Sequence, residues 1–286
     1  MTDSLGEKQS AALSSLVAAV GLTIFKIVVG VWTGSLGILA EAAHSGLDLV
    51  AAGLTFLAVR FSGRPADCTH LYGHGKIENL SALAETLLLL LTCVWIVWEA
   101  VHRLRSHAAQ VQVTVWSLVV MLTSIAVDFS RSRMLARTAK KYHSQALEAD
   151  ALHFRTDVWS SAVVIAGLGA VRMGLWWGDA VAALGVSAVV VWVSVQLGRR
   201  TVDALLDSAP VGMEQRIATA VSAVDGVRDC HHVRVRYSGP VPFIDLHVLV
   251  DGGQTLAEAH RLTETIEAVI QGIAPQADVT VHPEPF

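Results

Sequence analysis

The chain has 286 residues, of which 53% are hydrophobic and only 16% charged, with a formal net charge of −4 and a mean hydropathy of +0.51. That balance excludes an ordinary soluble globule and points to an integral membrane protein. The weak negative charge gives no reason to expect a nucleic-acid partner. Three scattered cysteines (Cys68, Cys93 and Cys230), with no CxxC, argue against a disulfide framework.

The first ten residues are polar and mixed in charge, with no cleavable signal pattern, so the first span is expected to insert as it stands. A bilayer-crossing helix needs about 20 mostly apolar residues. Six stretches qualify: roughly 11–32, 36–60, 80–102, 112–130, 149–173 and 179–199. The second and fifth are the least apolar. Lys8, the 2–3 loop (Arg60, Arg64, Lys76), the 4–5 loop (Arg131, Arg133, Arg137, Lys140, Lys141) and Arg199–Arg200 fall on one side. Only Arg103, Arg105 and Arg172 fall on the other, so the positive-inside rule puts both termini in the cytoplasm. Trp32, Trp176 and Trp177 sit near outer span ends, as interface anchors do.

Beyond Asp207-Ser-Ala-Pro210 the rhythm changes. Residues 212–224 have helical spacing, while 232–237 and 243–250 alternate with the strand period across a Ser238-Gly-Pro turn. An amphipathic helix follows over 255–271 and a short strand over 279–282. The expected architecture is a membrane all-α six-helix transmembrane bundle over residues 1–206, with a small cytosolic α+β domain of order αββαβ over 207–286. A domain this small gains stability from dimerisation or metal.

The least apolar spans carry His44 with Asp48, and His153 with Asp157. Residues four apart share one helix face, so each pair makes a two-toothed claw of nitrogen and oxygen. Two claws supply the four ligands that zinc prefers, and ionisable groups at membrane depth are functional candidates. Asp67, His70 and His74, within a glycine-flanked loop, offer a second, looser site. The tail holds His231, His232, His247, His260, His282 and Glu284, and clustered imidazoles and carboxylate on one sheet face suit metal at a subunit boundary. Lys26, Glu41, Glu85, Asp128 and Arg155 are further charges expected inside the bundle. Lys26 and Arg155 are cast as neutralising cations, and Glu41 as a support for His44. No HExxH or nucleophile motif appears, so an enzyme is not expected.

These features together resemble the cation diffusion facilitator family: His44-Ser-Gly-Leu-Asp48 on span two, His153-Phe-Arg-Thr-Asp157 on span five, Pro65-Ala-Asp-Cys-Thr-His-Leu-Tyr-Gly-His-Gly-Lys76 after span two, and a metallochaperone-like αββαβ tail. The resemblance covers almost the whole chain. It implies a homodimeric proton-coupled exporter of zinc or a related divalent ion. It implies a transport site at His44, Asp48, His153 and Asp157, and a second site at Asp67, His70 and His74. It implies a regulatory tail site at His231, His247, His260, His282 and Glu284, the last standing where Asp is common. It also implies that Lys76 pairs with Asp207 across the dimer. Many bacterial members have Asp where His44 stands; the more nitrogen-rich set favours zinc over manganese or magnesium. Iron, manganese, cobalt or cadmium export by the same fold, or a non-transporting metal sensor or scaffold, are the alternatives. A bacterial inner membrane is the expected location.

Overall fold

The structure, a computed structural model, describes residues 2–34, 36–106, 115–172 and 178–286. The expectations resting on Trp176 and Trp177, and on the side chains of Glu41, Arg103 and Arg172, lie outside the described residues. Contacts divide the chain into two units, Met1–Arg64 with Ile77–Thr201, and Pro65–Lys76 with Val202–Phe286.

The first unit is built from six long helices: α1 (Thr2–Thr33), α2 (Leu36–Ser62), α3 (Lys76–Ser106), α4 (Val115–Tyr142), α5 (Gln145–Arg172) and α6 (Gly178–Leu205). Among the described residues three stretches are long and apolar enough to cross a membrane, Leu5–Thr33, His44–Ser62 and Lys76–His102. The unit is inside out relative to a soluble bundle. Val17, Ile24, Val28, Leu87, Leu91, Val94 and Trp98 point outward, whereas Lys26, Ser45, Asp48, Glu85, Asp128, Asp150 and His153 are buried. Lipid reverses the usual sorting: apolar side chains tolerate the outside, and polar ones must find partners within. Hydroxyls follow the same rule. Thr55, Thr86, Ser124, Thr156 and Thr201 each bond the carbonyl four residues back. Small residues let the helices approach: Ala11, Ala12, Ala19, Ala52, Ala58, Ala146 and Ala151 surround Leu135, Leu147 and Phe154 where α1, α2, α4 and α5 meet. Ala82, Ala149 and Leu197 join α3, α5 and α6.

The helices run past the apolar stretches that betray them, and α4 shows why. Arg131, Arg133, Arg137, Lys140 and Lys141, expected in a loop, are helical. Arginine and lysine are good helix formers, so charge ends an apolar run without ending a helix. The stop comes at His143, left-handed at φ 50°, with the Ser144 N–H donating to the Ala139 carbonyl. Arg131 is buried, its guanidinium 3.5 Å from the Phe154 ring centre and 3.2 Å from Asp128. Arg155, expected inside, is exposed. It lies two residues from His153, about 200° around the helix, and so cannot share the inward face.

The second unit contains α7 (Met213–Ser222), β1 (Val227–Ser238), β2 (Val241–Val250), α8 (Leu256–Ile273) and β3 (Asp278–Pro285), in the order αββαβ. The sheet order is β1-β2-β3, with β1 antiparallel and β3 parallel to the central β2. The parallel neighbour needs a crossover, which α8 supplies. Alternation along β2 buries Ile244, Leu246, Val248 and Val250 against Ile217, Val221, Ile266 and Ile270, leaving Phe243, Asp245, His247 and Leu249 on the other face. Thr255 and Glu258 form a capping box at the start of α8. The segment 65–76 belongs to this unit. The Tyr72 ring meets Phe243 edge-on at 5.3 Å with Arg236 stacked 3.9 Å from its centre. Gly75 lies so close to the Ser238 carbonyl that any side chain there would collide with it. Lys76 Nζ reaches Asp207 Oδ1 at 2.7 Å within the one chain.

Ile217 is fully buried and Leu256 is 88% exposed. Ile217→Ala should therefore cost the second unit about 2–5 kcal/mol, and Leu256→Ala less than about 0.5 kcal/mol. Urea unfolding followed by tail-specific fluorescence or exchange checks both.

Candidate metal sites

Among the described residues, three groups of side chains that could hold a metal ion converge. The first sits in the helical unit. His44 and Asp48 lie one turn apart on α2, and His153 and Asp157 one turn apart on α5, so each helix presents a nitrogen and an oxygen on one face. His153 Nε2 lies 3.1 Å from Asp48 Oδ1 and 3.8 Å from Asp157 Oδ2. His44 Nε2 lies 3.9 Å from Asp48 Oδ1 and 3.8 Å from Asp157 Oδ1. His44, Asp48 and Asp157 offer ligand atoms all within 4.8 Å of one another. With neutral imidazoles the quartet carries two negative charges, which one divalent cation cancels. His153 Nδ1 and Asp157 Oδ2 are buried without a hydrogen-bond partner among the described residues, so the four have spare polar capacity. His153 is almost fully buried, while the His44 side chain is 37% exposed and forms the accessible lip. Beside it, Lys26 donates to the Ser45 hydroxyl at 2.7 Å and Thr23 to the Ser45 carbonyl at 3.1 Å, which anchors α1 against α2.

The second group, Asp67, His70 and His74, lies in the segment 65–76. Asp67 Oδ1 accepts from the backbone N–H groups of His70 at 2.7 Å and Thr69 at 2.9 Å, and from the Thr69 hydroxyl at 2.8 Å, an Asx turn. The backbone N–H of His70, then that of Thr69, hold its carboxyl well below the usual carboxylate range. Gly73, at φ 74°, turns the chain so that His74 Nε2 comes back to 3.4 Å from Asp67 Oδ2. The two imidazole centres are 4.5 Å apart.

The third group lies on the uncovered face of the tail sheet. Register pairs His231 with His247 and His247 with His282, a row across three strands. Glu284, two residues beyond His282, shares that face. It lies 2.7 Å from His247 Nδ1, 3.3 Å from His231 Nε2 and 3.8 Å from His282 Nε2. The hydrogen bond with His247 lowers the Glu284 carboxyl below its ordinary range. His232 joins the cluster, its ring 5.2 Å from that of His247. Adjacent strand residues normally face opposite ways. Here the register shifts after His231 and His232 is left-handed at φ 50°, a bulge that aims both rings at one spot. His260 stands apart on α8, 71% exposed and 3.7 Å from Glu264.

One more buried carboxylate on α5 lies outside the four-residue spacing of the two claws. Asp150, three residues before His153, is fully buried. Its Oδ2 accepts from Ser15 at 3.3 Å, and Arg131 donates to the same hydroxyl through Nη2 at 3.1 Å. The spacing 150, 153, 157 was a visible signal that the inward face of α5 carries a second carboxylate.

The family described as the cation efflux transmembrane domain matches residues 12–206, and the cation efflux protein cytoplasmic domain matches residues 210–286. The chain is 34% identical over 291 residues to the cation-efflux pump FieF of Klebsiella pneumoniae, covering 100% of this chain and 95% of that protein. It is 34% identical over 282 residues to that of Cronobacter sakazakii, covering 96% and 92%. A solved domain titled MamM-CTD 215-293 is 30% identical over 26% of this chain and 96% of its own, at a TM-score of 0.25.

The lowered Asp67 carboxyl sets a pH window. Its contribution is fully present above the ordinary value of 3.8 and is lost as pH falls through the lower folded value. The Thr69 and His70 amides should therefore stay as protected from exchange at about pH 4 as at about pH 7, and Asp67→Ala should remove that protection at both. Equal protection in the variant would discount the turn.

Proposed function

The chain belongs to the cation efflux family, and from that premise we propose that it exports zinc from the cytosol in exchange for protons, as a homodimer. In coarse terms it is a membrane protein for divalent cation efflux and not an enzyme. The observation that carries the finer reading is the convergence of His44, Asp48, His153 and Asp157 from two helices. Two imidazoles and two carboxylates form a borderline-soft, four-coordinate set, which suits zinc better than magnesium or manganese.

Zinc binds neutral imidazole and ionised carboxylate, so protons and metal compete for the same atoms. Imidazole, with an ordinary pKa of about 6.5, exchanges its proton near physiological pH. Metal entering from the cytosol displaces protons. The bundle then rocks outward, protons from outside displace the metal, and the protonated carrier returns.

In this reading residues 1–206 make a six-span transmembrane domain and 207–286 a cytosolic domain, with both termini cytoplasmic, in a bacterial inner membrane. The inside-out burial of the helical unit supports the spans that hydropathy alone leaves weak. The segment 65–76 packs with the tail, which supports a cytosolic position for Asp67, His70 and His74 as a second zinc site. The tail cluster of His231, His247, His282 and Glu284 is a regulatory zinc site. His260, directed away from it within one chain, completes the set from the second protomer. Metal there biases transport only by binding one state better than the other.

Zinc flux into proteoliposomes tests the proposal. His153→Ala and Asp48→Asn should each lower flux at least about 100-fold, beyond the 10–100-fold typical of lost supporting contacts, with the dimer intact by size-exclusion chromatography. Wild-type flux in either variant would overturn the assignment. A panel with zinc, cadmium, iron, cobalt and manganese tests the choice of metal; preference for iron or manganese would displace zinc. His247→Ala should leave the maximal rate within about twofold but abolish tail zinc binding measured by calorimetry.

A further inference from the structure

The ligand set implied by the family resemblance omits His232, yet the backbone is bent to bring it in. His232 is left-handed at φ 50°, a conformation that histidine seldom holds, and the ladder between β1 and β2 shifts between His231 and Arg234. In a regular strand His232 would face away from His231 and His247. Instead the three ring centres form a triangle. Its sides are 5.0 Å from His231 to His232, 5.2 Å from His232 to His247 and 5.7 Å from His231 to His247. The ring planes are inclined to one another by 51° to 81°, so the rings are not stacked. One nitrogen from each lies within 4.8 Å of the other two. Zinc–nitrogen bonds of about 2.0–2.1 Å put a ligating ring's centre about 3.2 Å from the metal, so tetrahedral imidazoles have centres about 5.2 Å apart. The triangle has the size of a three-imidazole metal site, and unusual backbone of this kind clusters at ligand clamps.

Carboxylates flank two of the rings. His247 Nδ1 bonds Glu284 Oε1 at 2.7 Å; with the proton on Nδ1, Nε2 holds the lone pair. His231 has Asp229 Oδ2 3.2 Å from Nδ1 and Glu284 Oε2 3.3 Å from Nε2, so a carboxylate supports whichever nitrogen does not ligate. His231 Nδ1 is buried and has no hydrogen-bond partner among the described residues. His232 itself is exposed and open to ions from solvent.

His247 also belongs to a second group, with His282 and Glu284. A neutral imidazole has one lone-pair nitrogen, so His247 serves one group or the other. We propose that His232 is a metal ligand, forming with His231 and His247 an all-nitrogen seat for a divalent transition metal within one chain, alternative to the seat of His247, His282 and Glu284. In the first seat Glu284 orients His247 through Nδ1; in the second it ligates. Three imidazoles favour nickel or zinc over manganese, whereas a carboxylate ligand admits manganese. This rests on the reading of the tail as a metal site and deepens it: His232 sets which ions the tail answers to.

The test is calorimetry with nickel and with manganese on the metal-free, full-length protein carrying His153→Ala and Asp67→Ala, which disable the other two groups. In that background His232→Asn removes the imidazole, and asparagine tolerates left-handed backbone. It should weaken nickel binding at least about 10-fold and change manganese binding less than about twofold, lowering the preference for nickel. Glu284→Gln keeps an acceptor for His247 Nδ1 and should cost nickel binding less than His232→Asn does. Nickel binding unchanged by His232→Asn, or hurt more by Glu284→Gln, overturns the proposal. His232→Gly, which accepts positive φ freely, decides the matter if the asparagine variant does not fold. Tail binding that survives His247→Ala would instead strike down the tail metal site itself, and the role of His232 with it.

Discussion

The cost of holding charge away from water organises the helical unit. An isolated carboxylate cannot be carried into an apolar interior without a partner. Lys8 meets Glu78 at 2.5 Å, with Ser62 and Ser144 also bonded to that carboxylate. Arg131 meets Asp128 and shares the Ser15 hydroxyl with Asp150. These pairs close on themselves. The His44, Asp48, His153 and Asp157 quartet does not: two carboxylates face two imidazoles that are neutral whenever they ligate. The set is complete only with a cation or with protons on its nitrogens.

The same constraint explains why small residues gather where α1, α2, α4 and α5 meet. Close helix approach is needed for side chains from two helices to meet within about 4 Å of each other. Ala52, Ala58, Ala146 and Ala151 remove the bulk that would hold the helices apart. Many large apolar side chains, Leu91, Val94 and Trp98 among them, face outward, where lipid accepts them without penalty.

Much of this was legible in the sequence because it depends on local periodicity. The spacing of four residues placed His44 with Asp48 and His153 with Asp157, and alternation located β2 and the uncovered face bearing His247. The tail's αββαβ order followed from the change of rhythm after Asp207. What was hidden depends on backbone events without a compositional mark. A basic run concealed the last three turns of α4, because charge changes hydropathy but not helical propensity. The bulge at His232 has no glycine to announce it. The docking of segment 65–76 onto the tail rests on Tyr72, Gly75 and Arg236, which are distant in sequence and unremarkable one by one.

That docking changes how the second and third metal groups relate. Asp67, His70 and His74 precede Tyr72 or flank it, and Tyr72 is clasped by Arg236 and Phe243 of the same sheet that carries His231 and His247. Residues 236 and 231 lie on β1, and 243 and 247 on β2, so both groups are mounted on one rigid pair of strands. A bulge that re-aims His231 and His232 also sets the course of β1 toward Arg236. The tail cluster and the segment 65–76 therefore rest on the same two strands. Three helix ends border the second unit: α2 stops at Ser62, α3 begins at Lys76 and α6 ends at Leu205. Lys76 and Asp207 join two of those ends within the second unit.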